Sequence, residues 1–149
     1  MNGIMVEFIL WSDNPKINMH EIGDSINLYP LKIRSIGDVI YYGEFKNLKR
    51  VVDTSSLLYS TEYINTIDVE DATKNMLDKI TPNLPKIINA VNSYNLNAKF
   101  CIVISLDEKP AIFLSREMIK LAAELSAEID FDIYLSLIHI SEPTRQEAI

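Results

Sequence analysis

Lys99 to Leu106 reads KFCIVISL, eight residues with apolar side chains on both alternating faces, and the fold is read outward from it. A strand apolar on both faces lies inside a sheet, covered by helices on one side and substantially buried on the other. The segments around it supply the remaining layers. Val6 to Trp11 alternates Val6, Phe8 and Leu10 against Glu7, Ile9 and Trp11, the period of a strand with one well-buried face. Glu128 to Tyr134 alternates Ile129, Phe131 and Ile133 against Asp130, Asp132 and Tyr134, a strand with one wet face.

Helix signals fall between these strands. Asn18 with Glu21 forms a capping box and Ile17 with Ile22 a hydrophobic staple, so a helix starts at Met19 and ends before Pro30. Asp68 caps a second helix with apolar spacing through Ala72, Met76, Ile80, Ile87 and Val91; Pro82 and Pro85 interrupt it, with Thr81 as the expected new cap. Ser115 caps a third, carrying Met118, Ile119, Ala122 and Leu125. Lys32 to Tyr42 reads as extended structure broken at Gly37 and Asp38, and Leu57 to Ile64 as a further strand. Gly43 to Ser56 reads as the least structured stretch, a loop. The resulting order, β-α-β-β-α-β-α-β, predicts an α+β fold: a mixed sheet of about five strands with helices mainly on one face, a ferredoxin-like plan with an added helix and strand.

Composition bounds the function. The 149 residues are 48% apolar and 23% charged, which suits one globular domain. No apolar run nears the roughly 20 residues that cross a bilayer, no signal peptide is read, and one cysteine, Cys101, rules out an internal disulfide framework. A cytoplasmic location is expected. With 14 basic and 21 acidic side chains the net charge is -7, which disfavours phosphate backbones as ligands.

Leu135 to Arg145 reads LSLIHISEPTR, which resembles the translation of a transposase sequencing adapter. The native domain is therefore expected over residues 1–134, with 135–149 a non-native tail, and His139 within that tail carries no weight. Without Arg145, Glu142 and Glu147 the chain keeps 13 basic against 19 acidic side chains and remains acidic.

From Pro110 to Tyr134 the chain reads PAIFLSREMIKLAAELSAEIDFDIY, and from Asn27 to Asp38 NLYPLKIRSIGD. Both stretches resemble the bacterial domain of unknown function 4279 family, the first its closing signature of strand, cap, helix and acidic strand ending in Asp-x-Tyr. One departure stands at Leu58 or Tyr59, where such proteins often carry Trp, a change that bears on packing more than identity. The resemblance implies a fold and carries over no catalytic residue.

Candidate sites come from the residues themselves. Asp130 and Asp132, two apart on a strand and continued by Glu128, project from one face, as a cation site or an acid and base pair requires; alternation on a solvated strand accounts for the same pattern. Lys46, Lys49 and Arg50, with Tyr41, Tyr42 and Phe45 and the nearby Lys32 and Arg34, form the one concentration of basic and aromatic residues, diluted by Asp38, Glu44 and Asp53. His20, Cys101 and the pair Ser115 and Glu117 read as a surface histidine, a buried small hydrophobe and a helix cap. No catalytic constellation, metal ligand set, glycine-rich phosphate loop or cofactor motif stands out. The reading favoured is a non-catalytic module that binds a protein partner, for example a toxin neutralised by an immunity-type protein. The binding residues would be Asp130, Asp132 and Tyr134, or Tyr41, Tyr42, Lys46, Lys49 and Arg50. The alternatives are a metal-dependent enzyme using Asp130 and Asp132, and RNA or anion binding through the Lys46 to Arg50 region.

Overall fold

The structure is a computed structural model that describes residues 3–135 of the chain. Its five-stranded sheet uses β1 (Gly3–Ser12), β2 (Lys32–Arg34), β5 (Ser55–Ser60), β6 (Asn97–Leu106) and β7 (Glu128–Leu135), in the order β2-β5-β1-β6-β7. A separate two-stranded sheet pairs β3 (Val39–Tyr42) with β4 (Leu48–Val51). Helices α1 (Met19–Ile26), α2 (Val69–Ile80), α3 (Leu84–Tyr94) and α4 (Arg116–Glu124) join the strands.

The topology follows from the pairings. β1 runs antiparallel to β5 and β6, and β2 antiparallel to β5. The units β1-α1-β2 and β5-α2-α3-β6 are thus two split βαβ crossovers, each opened by one strand of the other, which is the ferredoxin-like arrangement. α4 then leads into β7, parallel to β6 and paired with it from Lys99 opposite Glu128 to Leu106 opposite Leu135. The fold expectation holds: an α+β mixed sheet with an added helix and strand.

One face of the sheet is the core. Ile4, Val6, Phe8 and Leu10 of β1 are fully buried and cluster with Phe100, Ile102 and Ile104 of β6. Met19, Ile22 and Ile26 of α1, Met76 and Ile80 of α2, Ile87 of α3 and Met118 of α4 close over them in the same cluster. Phe8 stacks on Phe100 at 4.7 Å and on Tyr59 at 6.1 Å between ring centroids. The caps sit as read: the Asn18 side chain accepts from the backbone N–H groups of His20 and Glu21, Asp68 from Glu70, and Ser115 from Met118.

Two local expectations are corrected. Thr81 does not cap the second half of the long helix. It is the C-cap of α2, its hydroxyl donating back to the Leu77 carbonyl; a 3-10 turn over Thr81–Asn83 absorbs Pro82, and Asn83 precedes α3. Gly43 to Ser56 is not a loop throughout: Leu48–Val51 forms β4 and Ser55 and Ser56 open β5, while the segment read as a strand to Ile64 ends at Ser60. The hairpin is rooted where Val52 is buried and the Ile36 N–H donates to Ser55 Oγ at 3.1 Å.

Candidate functional site on the open sheet face

Residues that alternate with the core positions point away from the helices, and the strand register sets them side by side. Ile9 of β1 lies between Leu58 of β5 and Lys99 of β6, with Lys32 of β2 beyond Leu58 and Glu128 of β7 beyond Lys99. The next row runs Ser60, Glu7, Cys101, Asp130, and the one after it Met5, Val103, Asp132. This face has a largely apolar, half-buried centre of Met5, Ile9, Trp11 and Val103, the last buried, with Glu7 set between Ile9 and Met5. Lys32 and Arg34 stand at the β2 edge and the acidic row Glu128, Asp130, Asp132, with Tyr134, at the β7 edge.

The acidic row is exposed and partly organised. Lys99 Nζ lies 3.6 Å from Asp130 Oδ2, a solvent-screened pair worth at most about 1 kcal/mol. The Tyr134 hydroxyl donates to Asp132 Oδ2 at 2.9 Å, and that bond, reinforced by the Asp132 charge, raises the phenol above its ordinary value. Glu7, half-buried in the middle of the face, is raised above the usual carboxylate value by burial; Lys32 and Lys99 pull it down, Asp132 pushes it up. Burial raises the Cys101 thiol as well, and Glu7, Asp130 and Asp132 add to the effect against Lys99. A thiol held protonated by burial, with carboxylates beside it, is a poor nucleophile.

The residues read from the sequence therefore separate into two groups. Asp130, Asp132, Tyr134 and Glu128 converge on the open face with Cys101. Tyr41, Tyr42, Lys46, Lys49 and Arg50 lie on the β3–β4 hairpin, where Tyr41 pairs with Lys49 and Ile40 with Arg50. Lys46 adopts a left-handed conformation at φ 56° in the turn. Lys32 and Arg34 stand apart from this group on β2. Among the described residues, no group of three or more His, Cys, Asp or Glu side chains is arranged to hold a metal ion. His20 lines a cleft with Asp24, Asn27, Tyr29 and Ile33, which brings no serine or cysteine to it. His139 and the adapter-like run from Ser136 onward lie outside the described residues. Glu7 and Lys99, central to the face, went unread in the sequence; their signal is the polar position of each alternating strand.

Fold and site together define a split-βαβ α+β module with one sheet face closed by helices and the other left open. The chain belongs to the domain of unknown function 4279 family, whose model matches residues 2–136. No curated protein and no solved structure matches it. No helix among the described residues is long and apolar enough to cross a membrane.

Proposed function

We propose that this protein is a non-catalytic binding module of the cytoplasm that recognises a basic protein partner through its open sheet face and the adjoining β7 strand. One observation carries the reading. A largely apolar, half-buried centre is bordered along a sheet edge by three exposed carboxylates, Glu128, Asp130 and Asp132, and among the described residues Asp130 is the one with a cation beside it, Lys99 at 3.6 Å. A desolvated centre with a charged rim is the anatomy of a protein interface, and the rim's charge selects the partner. β7 is also a sheet edge, so its outer backbone groups can accept an added strand. In its immunity-type form, the partner is a toxin whose basic surface is steered onto the acidic row.

The probe is a synthetic peptide of alternating Lys and Val, with an alternating Glu and Val peptide as control. The lysine peptide binds, binding weakens with salt, and Asp130→Asn with Asp132→Asn weakens it at least tenfold while the circular dichroism spectrum is unchanged. Equal binding of both peptides, or by the double variant, overturns the reading. For the immunity form, cells expressing the chain survive induction of a toxin encoded beside its gene, and cells expressing the folded double variant do not.

A further inference from the structure

The two edges of this molecule are unfinished in complementary ways. β7 carries its carboxylates on one face, leaves Phe131 and Ile133 exposed at 37% and 45% on the other, and among the described residues its outer edge pairs with no other strand. The hairpin emerges from the opposite side of the sheet, between β2 and β5. From Val39 to Val51 it holds Lys46, Lys49 and Arg50 against Glu44 alone, on a chain whose net charge is -7. It pairs only with itself among the described residues, and it exposes Tyr41 at 60% and Phe45 at 80%. A two-stranded ribbon is marginal in water on its own, and a contiguous set of exposed apolar side chains marks a surface that is covered in use.

Pairing of β7 with a second β7 does not meet this need. Antiparallel strands set residues of the same face opposite one another, so every antiparallel register that pairs most of β7 places Asp130 or Asp132 of one copy against an acid of the other. The hairpin has the missing chemistry on either face: Lys49 with Tyr41 lies on one side and Arg50 with Tyr42 on the other, so the side that meets the acidic row brings a cation while the other brings a tyrosine toward Phe131 and Ile133.

We propose that the hairpin of one molecule docks on the β7 edge of a second copy. Because the two surfaces lie at opposite edges of one sheet, the contact is head-to-tail, and it builds rings or linear assemblies instead of two-fold dimers. The proposal rests on the reading of β7 as a docking edge, and it makes a second copy compete with a basic partner for the same row.

The test is the mass of the full chain by light scattering over a rising concentration series at low and high salt. The wild type grows from one chain past two at low salt and returns to one chain at high salt. Lys49→Glu with Arg50→Glu stays at one chain, as does Asp130→Lys with Asp132→Lys. All four substitutions in one chain restore growth, since the charges are exchanged and complementary again. Circular dichroism confirms that each variant is folded, and amide exchange along β7 slows only in the proteins that associate. A wild type that stays at one chain, or a folded four-fold variant that does not recover growth, overturns the proposal. The lysine and valine peptide separates the two readings: a wild type of one chain that binds it leaves β7 a docking edge for a separate partner, and one that neither grows nor binds overturns both.

Discussion

Neighbouring residues of β1 live in different chemistries. Phe8 and Leu10 have no exposed surface, packed in the cluster that α1 and α2 close over, while Glu7, Ile9 and Trp11 point to a face that no helix among the described residues covers. The same alternation divides β6, with Phe100, Ile102 and Ile104 inward and Lys99 and Cys101 outward. The helix side holds the chain together through contact and volume; the open side keeps a carboxylate and a thiol half-buried at a cost and ends in an exposed row of acids. The binding role proposed above gives that destabilised surface a use.

The comparison breaks most sharply with truncation on each side. Phe8→Ala removes a ring stacked on two others and costs about 3–5 kcal/mol in urea denaturation. Ile9→Ala, one residue along on the open face, costs roughly 1 kcal/mol. Equal losses would mean that both faces are core.

Gly3→Ala tests the end of the same strand. Gly3 has φ 154°, and a methyl group there collides with the Ile64 carbonyl, whose oxygen accepts from the Ile4 N–H at 3.0 Å. The substitution costs about 1–3 kcal/mol, read as a lower Tm. An unchanged Tm would show that the β1 start is free to move.

The inner face also holds one polar defect. Among the described residues nothing hydrogen-bonds the buried Tyr59 hydroxyl, and burial pushes its pKa up to about 12. Tyr59→Phe removes a desolvated group and gains about 1 kcal/mol. A loss of that size would mean the hydroxyl is satisfied.

The smallest effect is on the open face. Burial raises the Glu7 carboxyl above its ordinary value in the folded protein, so the native state binds its proton more tightly than the unfolded chain and stability falls as pH rises through that window. Glu7→Gln therefore stabilises at neutral pH, by less than about 1 kcal/mol because the group is half-exposed, and gives nothing well below the unfolded value. Denaturation at several pH values reads this directly. A gain that persists in acid would place its origin outside ionisation.

Much of this was legible because it is periodic. The alternation of Val6, Phe8 and Leu10, the two-faced apolarity of Lys99 to Leu106 and the caps at Asn18, Asp68 and Ser115 are local rules that tertiary packing left alone. The hairpin was not, since both its faces are solvated and β4 reads Leu-Lys-Arg-Val, without alternation to mark a strand. Thr81 misled because a residue before Pro82 looks like an N-cap, whereas the chain keeps helical dihedrals through it. Of the site, Asp130 and Asp132 were visible as a row. Glu7 was not, because its importance comes from Cys101 and Ser60 beside it, a register that only the folded sheet supplies.

The most direct test of the open face as the working side is to map the lysine and valine peptide onto the folded chain by amide chemical shifts. The account predicts shifts along β7, at Lys99, Cys101 and Val103, and at Glu7, with α1 and α2 unmoved. Shifts concentrated in the helices, with β7 unchanged, would contradict it.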